Sequence, residues 1–100
     1  MSRVVREGIA AGEVQTVFND FVNNGYMPTY VKTNSDGSHV TVDFIFDAST
    51  GAAWECHHWL NPADYNQKSS DLGSLGFNRV CANSFVYQGN LFYCALWIKA

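Results

Sequence analysis

The side chains best suited to chemistry stand in one short run, Cys56, His57 and His58. Cysteine and histidine can form a nucleophile–base pair, or they can bind zinc. Neighbouring residues of a strand point to opposite faces, so Cys56 and His57 cannot form the pair. Cys56 and His58 share a face, but a zinc site needs at least three protein ligands. We therefore predict no metal, no cofactor and no enzyme, with a Cys/His-dependent hydrolase as a minor alternative.

Composition excludes several other classes of function. Hydrophobic residues make up 47% of the 100 residues and charged residues 15%. This composition supports a folded core and excludes an intrinsically disordered chain. The net charge is −3 with only six Lys and Arg, so no basic patch is expected to bind nucleic acid. No apolar run reaches the ~18 residues that cross a bilayer, and we predict no membrane partner.

The cysteines and the N-terminal sequence leave the compartment open. Three cysteines cannot all pair within one chain, which argues against a domain built on disulfides. A disulfide between Cys81 and Cys94 and a pair of free thiols both fit the sequence. No signal peptide is visible. The sequence therefore fits both a cytoplasmic protein and a fragment of a longer secreted protein.

The elements that would position these residues occur twice along the chain. When the sequence is shifted by 51 residues, its two halves show the same apolar pattern, which indicates an internal repeat. The matching positions are Asp20 with Asp71, Gly25 with Gly76, and 42–46 with 93–97. We predict a single domain made of two repeats, residues 1–51 and 52–100.

Each repeat is predicted to fold as a strand, a helix and a hairpin. The first helix is indicated by apolar residues at the spacing of one helical face, namely Val14, Val17, Phe18, Phe21 and Val22. In the second repeat Asn61 and Pro62 are typical of a helix start. The predicted strands are 3–7, 27–33 and 39–47 in the first repeat, and 54–58, 77–86 and 90–98 in the second. The fold class is α+β, with two tandem β-α-β-β repeats in a largely antiparallel curved sheet and two helices on one face.

The second repeat also contains a spaced set of aromatic, glycine and aliphatic residues. They are Trp54, His57, Leu60, Tyr65, Gly76, Phe77, Tyr93 and Trp97. This pattern resembles the bacterial tandem repeat family that precedes the catalytic domain of polyglycine-hydrolase-like serine proteins. The first repeat is a divergent copy, because Val14 stands at the position of the helix tyrosine, Phe46 at that of the closing tryptophan, and Pro28 at that of Arg79.

The resemblance implies a repeat module that occurs in arrays and has no chemistry of its own. The catalytic domain of that family uses a Ser-x-x-Lys motif, and no serine of this chain has a lysine three residues later. We therefore expect a non-catalytic module that binds a peptide or a protein, or that assembles with itself.

One row of the last strand is unexpectedly apolar on its outward side. The row consists of Phe92, Cys94, Leu96 and Ile98. A sheet covered on one side only is usually polar on the other, and soluble monomers rarely expose such a patch. The two repeats could cover each other, a second chain could cover the row, or a ligand could. A homodimer through this row is one predicted interface.

A small lectin-like carbohydrate-binding protein is the alternative from another class. Aromatic rings stack on sugar C–H faces, and amides bond to sugar hydroxyls. The candidate binding residues are Trp54, His58, Trp59, Tyr87 and Asn90.

Overall fold

The chain forms the same set of elements twice. A computed structural model describes residues 2–99. In the first repeat the elements are β1 (Val4–Ala10), a 3-10 turn (Ala11–Glu13), α1 (Val14–Asn23), β2 (Tyr26–Ser35) and β3 (Val40–Ala48). In the second they are β4 (Ala53–Leu60), α2 (Pro62–Ser74), β5 (Asn78–Tyr87) and β6 (Asn90–Lys99). The predicted α+β class and the two β-α-β-β repeats are confirmed.

The six strands of the described residues divide into two three-stranded antiparallel sheets, ordered β1-β3-β2 and β4-β6-β5. Within each repeat the last strand lies in the centre of the sheet. It pairs with the first strand on one side and with the middle strand on the other. Val4 lies opposite Phe46, and Ala53 lies opposite Lys99. The predicted curved sheet is therefore built as two sheets, one per repeat.

Irregularities of the backbone repeat at the same spacing of 51 residues. The register shift between Arg6 and Ile9 in β1 recurs between His57 and Leu60 in β4. Gly25 and Gly76 both follow a helix with φ of 88°, a conformation that glycine adopts without steric cost. A second pair of shifts lies between Pro28 and Tyr30 and between Arg79 and Cys81. The repeats therefore share bulges as well as elements.

The second helix begins as its sequence predicts. The Asn61 side chain accepts a hydrogen bond from the Asp64 N–H at 2.8 Å, and Pro62 takes the first helical position. Its apolar face is narrow, and Leu72 is its one buried residue. No helix in the described residues 2–99 is long and apolar enough to cross a bilayer.

Two clusters of buried side chains form the core. The smaller cluster lies under α2 and contains Leu60, Leu72, Ala95 and Trp97. The larger one contains residues of both repeats, namely Ile9, Val14, Val31, Val42, Phe44, Phe46, Cys94 and Leu96. Side chains of both repeats therefore pack together in this larger cluster.

Candidate functional site: the interface between the repeats

Three of the four residues in the apolar row of β6 pack in the cluster that the two repeats share. Cys94 and Leu96 are fully buried in the larger cluster, and Ile98 packs against it. Phe92 packs against Trp59, with ring centroids 5.4 Å apart. Of the three occupants considered, the neighbouring repeat is the one that covers Cys94, Leu96 and Ile98, whereas Phe92 contacts Trp59 of its own repeat. Cys94 and Leu96 are therefore not accessible to a second chain while the repeats are docked.

The edge of the first sheet lies on the outer face of the second. The Asn83 carboxamide donates to the Thr33 carbonyl at 2.9 Å and accepts from the Thr33 N–H at 3.3 Å. The Thr33 hydroxyl donates to the His58 carbonyl at 2.7 Å. Asn83 thus bonds to both backbone groups of Thr33 that point away from β3. Without such partners, the unpaired N–H and C=O groups of an edge strand can pair with another strand.

The turns of the two hairpins also meet. The Gln88 N–H donates to the Gly37 carbonyl at 2.8 Å, and the Ser35 hydroxyl donates to the Val86 carbonyl. Polar contacts therefore hold the ends of β2 and β5 together, beyond the apolar part of the interface.

All three cysteines carry free thiols and line this interface. Cys81 donates to the Val31 carbonyl at 3.6 Å, and Cys94 donates to the Asn83 side chain. Burial raises the pKa of Cys56 and of Cys81, so both stay protonated at neutral pH. Cys81 lies opposite Leu96 and Cys94 opposite Asn83, so the two cysteines are diagonal across the ladder.

The Cys56–His58 run faces a cavity of about 230 Å³ between α1 and β4. Its lining residues are Val14, Gln15, Phe18, Phe44, Cys56, His57 and His58. Burial, and then the neighbouring His57, lower the pKa of His58. His57 Nε2 lies 2.9 Å from Glu55 Oε1 and is engaged there rather than at the thiol. Nucleophilic cysteines usually have a thiol pKa that a neighbouring imidazole lowers, whereas burial raises the pKa of Cys56.

The residues proposed to bind sugar do not form one site. Trp54 packs edge-on against Phe18, with ring centroids 5.5 Å apart, at the far side of the interface. Trp59 and Tyr87 lie together, with centroids 5.1 Å apart. They border a cavity of about 320 Å³ whose other lining residues are Ala10, Ala11, Ser38, His39, Val40 and Thr41. Asn90, the first residue of β6, is exposed and does not line this cavity.

The surface that receives the second repeat has a counterpart that is open. We call Val14, Val31, Thr33 and Val42 the cradle of the first repeat, and all four are at most 2% exposed. Shifting each by 51 residues gives the cradle of the second repeat, namely Tyr65, Ala82, Ser84 and Tyr93. There Ala82 and Ser84 are exposed, and Tyr65 and Tyr93 are half-buried.

The open cradle has its own side-chain arrangement. Tyr65 stacks on Tyr93, with centroids 4.3 Å apart and ring planes 9° apart. The Arg79 guanidinium donates to the Tyr65 hydroxyl. These residues and Asn83 line a shallow cavity of about 340 Å³. Sequence reasoning missed this site, although the pairing of Val31 with Ala82 and of Thr33 with Ser84 follows directly from the 51-residue shift.

The two ends of the molecule differ in polarity. We call Cys81, Asn83, Cys94 and Leu96 the docking face of the second repeat. Their counterparts on the first repeat are Tyr30, Lys32, Asp43 and Ile45. The Asp43 carboxylate accepts from the Gly8 N–H at 2.8 Å, and Lys32 is exposed. The first repeat therefore presents a charged outer face where the second presents thiols, an amide and a leucine.

A repeated unit whose outer face docks in the cradle of the unit before it defines a tandem-repeat protein. A family model described as polyglycine hydrolase-like, structural repeat, matches residues 2–48 and again residues 51–100. The chain belongs to this family and contains two of its repeats. Comparisons with curated proteins and with solved structures found no match.

Proposed function

We propose that this chain is a non-catalytic module that assembles with, or binds, another protein through the open cradle of its second repeat. One observation carries the proposal: the docking face of the second repeat fills the cradle of the first, while the equivalent cradle on the second is exposed. A surface that is buried in one repeat and open in the next is a repeat interface without its occupant.

The chemistry of the reactive side chains supports a binding role. Burial raises the pKa of the Cys56 thiol, and no group of three or more metal-ligating residues occurs in the described chain, residues 2–99. The family matched by both repeats is described as a structural repeat.

A chain extended by one repeat tests the proposal. A copy of residues 49–99 is joined after Lys99, so that its docking face can reach the cradle formed by Tyr65, Ala82, Ser84 and Tyr93. Hydrogen exchange followed by mass spectrometry is expected to show slower exchange over 78–87 of the second repeat than in the native chain.

The matched control carries a copy of residues 2–48 behind the same linker, residues 49–52. This copy presents Lys32 and Asp43 to the cradle, and removing charged groups from water is unfavourable. We expect no added protection over 78–87. Equal protection from both added repeats, or none from either, would contradict the proposal.

A carbohydrate-binding role is a second candidate, supported by the meeting of Trp59 and Tyr87 at one cavity. Rings that border a cavity can stack on a sugar, and His39 and Thr41 supply polar groups there. A glycan array is expected to show binding that the Tyr87→Ala variant loses and the Trp54→Phe variant keeps. An array without hits removes this candidate.

A further inference from the structure

We propose that Ser84, on the edge of β5, recognises a primary carboxamide, an Asn or Gln side chain of the docking protein, through its backbone N–H and C=O. The inference rests on the proposed function and resolves its docking surface to one contact. The chemical class of the recognised group follows from the interface that already exists between the repeats.

The existing contact is the bond pair between Asn83 and Thr33. A carboxamide carries one acceptor oxygen and one donor NH₂, which match the N–H and C=O of a single edge residue. Thr33 is 2% exposed, and Asn83 satisfies both of its outward groups at 3.3 Å and 2.9 Å. The first repeat is therefore recognised by a carboxamide at its edge strand.

Ser84 is the counterpart of Thr33 on the second repeat, and its backbone points the same way. Gln88 and Gly89 form a two-residue turn, with Tyr87 opposite Asn90. The residues that close such a turn bond to each other, and bonded pairs then alternate along an antiparallel ladder. Ser84 is three residues from Tyr87, so its N–H and C=O point away from β6.

The groups around the Ser84 edge leave room for a ligand. The Ser84 carbonyl receives one long contact, 3.4 Å from the Asn83 amide, and no described side chain accepts from the Ser84 N–H. Ala82 and Ser84 are smaller than Val31 and Thr33, their counterparts. The cavity of about 340 Å³ beside them has the stacked Tyr65 and Tyr93 as its wall.

A carboxamide and a carboxylate make different demands on this edge. A carboxylate has no donor for the Ser84 carbonyl, so the two oxygens would repel each other. Arg79 lines the same cavity and has N–H donors beyond the one on the Tyr65 hydroxyl, so charge attraction alone would favour a carboxylate. Comparing Asn with Asp in the docking protein therefore separates backbone recognition from simple charge attraction.

The test measures single-amide hydrogen exchange by NMR in the native chain and in the chain extended by residues 49–99. In the native chain the Thr33 amide is expected to be protected and the Ser84 amide to exchange freely. In the extended chain, exchange at Ser84 is expected to slow by about tenfold or more. The substitution Asn83→Asp, made only in the added repeat, is expected to abolish this protection at Ser84.

The outcomes separate the inference from the proposed function. If the added repeat does not protect any part of 78–87, both are wrong. If 78–87 is protected but Ser84 exchanges freely, or if Asn83→Asp in the added repeat leaves Ser84 protected, the docking surface stands and carboxamide recognition is wrong. A further measurement needs no added repeat. If the Ser84 amide is protected from exchange in the native chain, the inference is also wrong.

Discussion

Asn83 makes more hydrogen bonds across the interface between the repeats than any candidate residue named from the sequence. Its carboxamide bonds the Thr33 N–H and C=O and accepts from the Cys94 thiol. Only a side chain with both a donor and an acceptor can serve an edge residue in this way. The sequence signal was a polar residue in the outward row of β5, between Cys81 and Phe85.

Replacing Asn83 by Leu is expected to destabilise the chain by about 2 kcal/mol or more, because the buried Thr33 N–H and C=O lose their partners. Urea unfolding measures the change. Asn66→Leu, on the exposed side of α2, is the control and is expected to shift the free energy of unfolding by less than about 0.5 kcal/mol. Equal effects of the two substitutions would show that Asn83 does not hold the interface.

His58 gives the interface a dependence on pH. Burial, and secondly His57, lower its pKa from 6.5 in the folded chain, so the folded state binds a proton less readily than the unfolded state. Stability is therefore complete above the unfolded pKa and decreases as the pH falls below about 6.5.

We expect the free energy of unfolding to decrease between about pH 7 and pH 5, and His58→Gln to reduce this slope. His39→Gln is the control, because the His39 ring is exposed in the β2–β3 turn. Hydrogen bonds from Lys68 and then His57 lower the pKa of Glu55, so its contribution is lost at lower pH, below 4.5. A slope unchanged by His58→Gln would refute the role of His58.

At the scale of elements, the sequence predicted more of the fold than of the site. Alternation and helical spacing identified all six strands and both helices, because those patterns reflect which side of an element is buried. They do not say what covers that side. The row from Phe92 to Ile98 was recognised as apolar, but the residues that cover Cys94 and Leu96 lie about 50 positions away in the sequence, which no local pattern encodes.

The glycines at the C-terminal end of α2 give a matched pair of variants. Gly76 has φ of +88°, so Gly76→Ala is expected to cost about 1 kcal/mol of stability. Gly73 lies inside the helix, and a Cβ there meets nothing within 4 Å. Gly73→Ala is therefore expected to stabilise by about 0.5–1 kcal/mol. Thermal unfolding measures the change in stability of each variant. Changes of the same sign for both would contradict the placement of Gly73 inside the helix and of Gly76 after its end.

The whole molecule has a direction, because its two ends present different surfaces. The first repeat presents a face with the exposed Lys32 and the half-buried Asp43, and the second presents its open cradle. Contacts between unlike surfaces build open chains of subunits unless something prevents them. The charged outer face is what we expect to prevent head-to-tail growth here.

Giving the first repeat a neutral outer face is expected to permit that growth. In the double variant Lys32→Asn, Asp43→Ala, the mass measured by sedimentation is expected to rise with protein concentration, while the native chain stays at 11.1 kDa. Adding Ser84→Tyr fills the open cradle and should restore the monomer. A double variant that stays monomeric would show that charge does not limit growth.

Because the three thiols lie at the interface between the repeats, a thiol reagent can detect separation of the repeats. Cys94 is fully buried in the shared core, and Cys56 and Cys81 border it. An alkylating agent can reach Cys94 only when the shared cluster opens, so a labelling rate faster than that of global unfolding would report separation of the two repeats. The native chain thus carries its own probe of that motion, and no foreign dye or tag is required to follow it.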